Sequence, residues 1–166
     1  NHWPSRLGGE EQSRCRREAG AALSRHLADS VLAADPDSKV IIMGDLNDDP
    51  DNKSCASVLG AVMNPEEVAD GGYFNTMWRL HEKGFGTLGY QGKWNLFDQI
   101  IVSANLVGND RSTLKYFKSE IFNKDFLKQS SGKYKGYPKR THASGRYLNG
   151  YSDHFPVIIY LAKIAQ

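Results

Sequence analysis

One stretch limits the folds open to this chain more than any other: Lys39-Val40-Ile41-Ile42-Met43-Gly44-Asp45-Leu46-Asn47-Asp48-Asp49-Pro50. Val40 to Met43 is an apolar run of buried-strand type, and Gly44 breaks it. Asp45, Asn47, Asp48 and Asp49 follow at once, then a proline. In an open α/β sheet, ligands bind in the crevice beyond the carboxyl ends of strands. A strand ending in glycine and alternating Asp/Asn therefore delivers oxygen ligands and a water-positioning base to one spot. A capped turn without chemistry uses the same residue types, because Asp and Asn favour turns and helix N-caps. A calcium loop does not fit. It needs Gly at its sixth position and Glu at its twelfth, where this chain has Pro50 and Ala56.

What precedes the strand points to α/β architecture. Glu10 and Glu11 sit where a helix dipole favours acids. Ala19, Leu23, Leu27 and Val31 recur at helical spacing as the expected apolar stripe, with Arg14, Arg17, Glu18 and Arg25 mostly off it. Ala34-Asp35-Pro36-Asp37 stops the helix, and a helix running straight into a strand is an αβ unit. A chain of 166 residues can bury a proper core as one domain. Its formal charge of +2 is too small to argue for nucleic acid by itself. Cys15 and Cys55 form neither a metal motif nor a disulfide framework. No run is long and apolar enough for a transmembrane helix.

Beyond Pro50, a short helix is expected over Asn52–Leu59 and another over Tyr73–His81. Thr87–Gln91 and Asn95–Ser103 have the composition of two strands around a Gly92-Lys93 turn. Asp98 interrupts the second, and a carboxylate in such a strand needs a partner if buried. Leu114–Phe122 alternates as a half-exposed strand. Lys124 to Arg146 is basic and loop-like, with Tyr134, Tyr137 and His142 among its lysines and arginines. Positive charge beside aromatic faces suits polyanions, single-stranded nucleic acid included, and it also suits a merely solvated loop. Ser152-Asp153-His154 stands just before a closing apolar strand, Val157–Leu161. Neighbouring Asp and His side chains do not bond to each other without strain, so these two are expected to face one pocket with different roles.

Four blocks in order, Asn1-His2-Trp3-Pro4-Ser5-Arg6, Gly44-Asp45-Leu46-Asn47, Phe97-Asp98-Gln99-Ile100 and Ser152-Asp153-His154-Phe155-Pro156-Val157, resemble the endonuclease/exonuclease/phosphatase superfamily of metal-dependent phosphodiesterases related to deoxyribonuclease I. The resemblance implies an α/β (α+β) sandwich of the deoxyribonuclease I-like fold. It also implies that residues 1–166 are the carboxyl-terminal part of a single, larger domain: one mixed sheet half flanked by helices. The family's principal metal-binding Glu comes from its amino-terminal half. Glu10 and Glu11 do not match that motif, so the missing half or a second chain is expected to complete the site, and this chain alone is expected to be inactive.

Carried over by position, Asp45 orients or deprotonates the attacking water, and Asn47 holds that water or a phosphate oxygen. His154 stabilises the phosphorus centre or protonates the leaving oxygen. Asp98 fixes the tautomer of His154, and His2 is a second histidine on the phosphate. Asp153 helps to hold the metal, Mg²⁺ or Mn²⁺, for which oxygen ligands are suited. Arg6 and Arg140 are further expected phosphate contacts, Arg6 because its planar fork matches anionic oxygens. The implied substrate is nucleic acid or another phosphate ester, with phosphoinositides and sphingomyelin-type lipids also open. The competing readings are a non-catalytic polyanion-binding module and a structural fragment with an exposed apolar sheet face.

Overall fold

The computed structural model describes residues 1–165. Its framework is a four-stranded mixed sheet in the order β1-β6-β3-β2, with β1 Ile41–Asp45, β2 Ala61–Val62, β3 Tyr73–Asn75 and β6 Asp98–Ser103. β2 runs parallel to β3, and the other pairs are antiparallel. Helix α1, Glu10–Ala34, covers one face of this sheet, where Trp3, Ala21, Ala28, Ile42, Tyr73 and Ile101 share a core. A second sheet, β7 Lys115–Ile121 paired with β10 Val157–Ala162, packs on the other face. There Phe74, Ile100 and Val102 meet Tyr116, Val157, Ile159 and Leu161. Helix, mixed sheet and second sheet thus stack in layers around two apolar seams, as sequence alternation on two faces requires. No helix among the described residues is long and apolar enough to cross a membrane.

Three expectations need correction. The buried face of α1 is Ser13, Arg17, Ala21, Ser24 and Ala28, not the leucine stripe. Leu23 and Leu27 are each more than half exposed, and Ala19 and Val31 also face outward. The physical reason is distance: small residues let the helix lie close over Trp3 and the sheet, and Arg17 crosses the interface to reach Asp48. Second, Tyr73–Asn75 is a strand and only Trp78–Glu82 is helical (α2). Pairing on both sides, with β2 and β6, overrides the local pattern there. Third, Asn95–Ser103 is two strands, not one. β4 Leu88–Tyr90 and β5 Lys93–Asn95 form their own hairpin, turned through Gln91 and Gly92, both left-handed as a two-residue hairpin turn demands. The chain then re-enters the main sheet at Asp98. The segment Ser54–Leu59 is helical as expected, in π geometry, and Gly60 caps it with φ 74°. The basic stretch is irregular apart from a 3-10 turn at Asp125–Leu127 and a small hairpin of β8 His142–Ala143 and β9 Arg146–Tyr147.

Candidate active site

Asp45 ends β1 and Asp98 begins β6, and the two are direct cross-strand partners. Directly opposed residues project from the same face of a sheet, so both carboxylates point to one side. His154 arrives there from the segment before β10, anchored by Phe155, whose backbone N–H donates to Thr87 O at 2.8 Å and whose ring is buried. His154 Nδ1 lies 2.7 Å from Asp98 Oδ2 and 3.9 Å from Asp45 Oδ2. From the opposite side His2 Nε2 approaches Asp45 Oδ2 at 3.5 Å. Four groups from four separate segments therefore converge at the carboxyl end of β1.

Gly44 makes the arrival of His2 possible. Its φ is 142°, and a Cβ there would collide with the backbone carbonyl of Asn1. With that space free, the amino group of Asn1 donates to Met43 O at 2.7 Å and Trp3 N–H donates to Asp45 O at 3.0 Å. Residues 1–3 thus lie along the outer edge of β1.

The loop after β1 is held from beneath. Asn47 is left-handed, φ 53°, a conformation Asn tolerates better than most residues. Its backbone N–H donates to Asp45 Oδ1 at 3.0 Å, and its side-chain amide donates to Trp3 O at 2.9 Å. Asp48 is buried between cations and a hydroxyl: Arg6 Nη2 at 3.0 Å, Arg17 Nε at 2.7 Å and Ser54 Oγ at 2.6 Å. The Arg17 contact is a close charge pair set out of line for a hydrogen bond. Asp49 accepts from Leu96 N–H at 2.7 Å, and Gln99 donates to the Asp48 carbonyl at 2.6 Å. Burying charge is tolerable only when it is paired in this way.

Electrostatics follow from the crowding. Burial raises the carboxyl pKa of Asp45, an effect that the Asn47 amide and the histidine charges only partly offset. Burial would lower that of His154, but the hydrogen bond to Asp98 and the charges of Asp98, Asp45 and Asp153 outweigh it, and the net shift is upward. The site therefore favours one carboxylate that accepts a proton more readily than usual and one imidazole that keeps its proton longer.

The sequence model of the endonuclease/exonuclease/phosphatase family matches residues 1–163. The chain belongs to that family. No curated protein and no solved structure matches. Membership of the endonuclease/exonuclease/phosphatase family makes the layered α/β fold a deoxyribonuclease I-like one and places the chain among phosphate-ester hydrolases of nuclease or phosphatase type. Family members typically use divalent metals.

The residues present do not by themselves fit such an ion. Among the described residues no three His, Cys, Asp or Glu side chains are arranged to hold a metal. Asp45 faces His2 and His154, Asp98 faces His154, and Asp153, the expected ligand, is 52% exposed with Arg140 Nη2 at 3.7 Å. Arg6 is also placed differently from expectation. Its Nε donates to Asn47 O at 2.9 Å, its Nη2 to Asp48 and to Asn52 Oδ1, and its plane lies over Phe97 at 4.5 Å. That fork is committed to the loop rather than open to a phosphate. Sequence reasoning grouped Asp48 with the polar residues after the strand, gave Gln99 no role of its own, and placed Arg17 off the buried stripe, so it missed that these three hold the loop together. The available signal was the spacing Ser13, Arg17, Ala21, Ser24, Ala28, a helical face of small residues with one cation in it.

Proposed function

We propose that this chain carries the phosphate-handling part of a metal-dependent phosphodiesterase of nuclease type. The observation that carries the reading is the convergence of Asp45, Asp98 and His154, with His154 Nδ1 fixed 2.7 Å from Asp98. Asp45 accepts a proton from the attacking water as its oxygen bonds to phosphorus. Asn47 holds that water or a phosphate oxygen with the amide hydrogen that Trp3 leaves free. With Nδ1–H donated to Asp98, the opposite nitrogen of His154, Nε2, meets the phosphoryl group. There it supports the growing charge and gives its proton to the leaving oxygen as the second P–O bond breaks. His2 and Arg140 stand as further phosphate contacts, and Arg6 positions the loop. A divalent ion, Mg²⁺ or Mn²⁺, would supply charge neutralisation at the phosphate only where further ligands complete its site. The described residues, Asp153 included, form no complete cage for that ion, so the site in this reading is finished by ligands from an amino-terminal half or a second chain.

Hydrolysis of bis(p-nitrophenyl) phosphate and plasmid DNA, followed as Mg²⁺ is added, tests this directly. It is measured for the chain alone and fused behind the amino-terminal half of a family enzyme. The fusion is expected to cleave, and Asp45→Asn and His154→Ala in it should each lower the rate on the order of a hundredfold or more. Unchanged turnover in Asp45→Asn would sink the assignment. The lack of a metal cage among these residues favours one other reading, a polyanion-binding module without turnover. DNA binding by a fusion that never cleaves would establish that reading instead.

A further inference from the structure

A cavity of about 830 Å³ opens between the β4–β5 hairpin and the basic segment that follows β7, within the size range of small-molecule sites. We propose that it is a subsite for the base of a nucleotide next to the scissile phosphate, an inference that rests on the proposed function for where that phosphate sits. The second hollow, about 280 Å³, lies at the far end of β6 beside Ser103 and Pro36 and offers no comparable chemistry.

Position comes first. Arg140 lines the cavity and also reaches Asp153, the neighbour of His154. Gly150 fixes that junction: any Cβ there would strike the carbonyls of Lys139 and Arg140, and Tyr151 N–H donates to Lys139 O at 2.7 Å. A row of rings makes the same connection. Phe155 stacks on Trp94, Trp94 meets Tyr137 at 5.1 Å, and Tyr137 meets Tyr134 at 6.0 Å. The walls are tied by backbone hydrogen bonds, Gln129 N–H to Tyr137 O at 2.8 Å and Lys139 N–H to Leu127 O at 2.7 Å. The cavity is therefore formed before any ligand arrives.

Chemistry then selects the occupant. Tyr90 and Tyr134 line the cavity and are 61% and 56% exposed, with Lys133 Nζ 5.6 Å from the Tyr134 ring centroid, so aromatic surface is open to a ligand. Bases stack on such faces whatever their sequence. The amides of Gln91 and Gln129, also in the lining, each offer a donor and an acceptor, as base edges require. Lys133 and Arg140 supply the charge for flanking phosphates. An acyl chain would desolvate those amides without replacing their hydrogen bonds, at a cost. An inositol ring has no π-face to lay on a tyrosine.

The test is binding to the full chain in EDTA, where no turnover is needed. The probes are thymidylyl-thymidine, uridylyl-uridine and glycerophosphoinositol, read by the tyrosine ring resonances. Both dinucleotides should shift the Tyr90 and Tyr134 signals. Glycerophosphoinositol should leave them in place. Tyr134→Ala should weaken dinucleotide binding by about fivefold to a hundredfold, and Tyr90→Ala likewise. Both rings are exposed, so neither change threatens the fold. Equal binding of glycerophosphoinositol, or undiminished dinucleotide affinity in the Tyr90→Ala, Tyr134→Ala double variant, overturns the proposal. If phosphodiester cleavage fails while dinucleotides still bind through Tyr134, the subsite stands and the catalytic reading falls. The reverse pair of results removes the subsite alone.

Discussion

His154 is pulled in two directions. Burial favours its neutral form, while Asp98 at 2.7 Å and the nearby charges of Asp45 and Asp153 favour the imidazolium, and the charges win. Folded His154 therefore holds its proton above the ordinary histidine value of 6.5. The stability it contributes is complete below that value and is lost as pH rises through the raised pKa. Asp45 behaves with the same sign, because a carboxyl raised above its ordinary 3.8 binds its proton more tightly in the fold. Catalysis needs the opposite states of the two groups, Asp45 ionised and His154 protonated. The pH profile of phosphodiester cleavage should then be bell-shaped, with its acid limb above 3.8 and its alkaline limb above 6.5. Asp98→Asn removes the contact that holds the imidazolium, so the alkaline limb should move to lower pH. A limb that stays where it was in that variant would show that His154 is not the acid.

At the scale of elements, the loop after β1 is a suspended structure, gripped by α1 through Arg17 and by β6 through Gln99. Arg17 and Asp48 are both essentially without solvent contact. Truncating Arg17 takes one of two cations off buried Asp48 and leaves Arg6 and Ser54 on it, so the loss falls at the lower end of the ~3–5 kcal/mol typical of a broken buried pair. Arg17→Ala should accordingly lower the unfolding free energy in urea by about that much. A loss under 1 kcal/mol would mean that water replaces the guanidinium, on the scale of an exposed pair. Gly44→Ala attacks the other side of the loop, by pushing Asn1 and His2 off the edge of β1. It should weaken phosphate binding more than it weakens folding, which parallel urea melts and binding titrations would separate.

These elements were unequally legible in the sequence. β1, β7 and β10 declared themselves through apolar runs and alternation. β3 did not, because its identity as a strand comes from the neighbours it pairs with. Asp45, Asp98 and His154 stood out as polar groups at strand ends in recognisable blocks, and the fold brings all three together. Arg17 stayed hidden, since a cation among serines and alanines on a helix looks like a solvated face until its partner is seen.

Across the whole molecule, charge is distributed with a purpose that the formal +2 conceals. Asp48 and Asp49 are buried in the loop after β1, while the lysines and arginines between Lys124 and Arg146 are mostly exposed, and Lys133 and Arg140 among them line the aromatic cavity. Binding of single-stranded nucleic acid should therefore weaken steeply with salt. The Lys133→Ala, Arg140→Gln double variant should flatten the slope of log K against log salt by about one to two. A slope unchanged in that variant would place the binding face elsewhere.

The opposition of Asp45 and Asp98 across β1 and β6 has one last consequence. Side chains on a strand alternate with a period of two, so a slip of one residue between these strands would send one carboxylate through to the helix side of the sheet. Chains that fail to align would then form a dead fraction beside fully competent ones, and not a population of uniformly slower catalysts. Alignment here is a digital quantity: specific activity in any preparation counts correctly registered molecules.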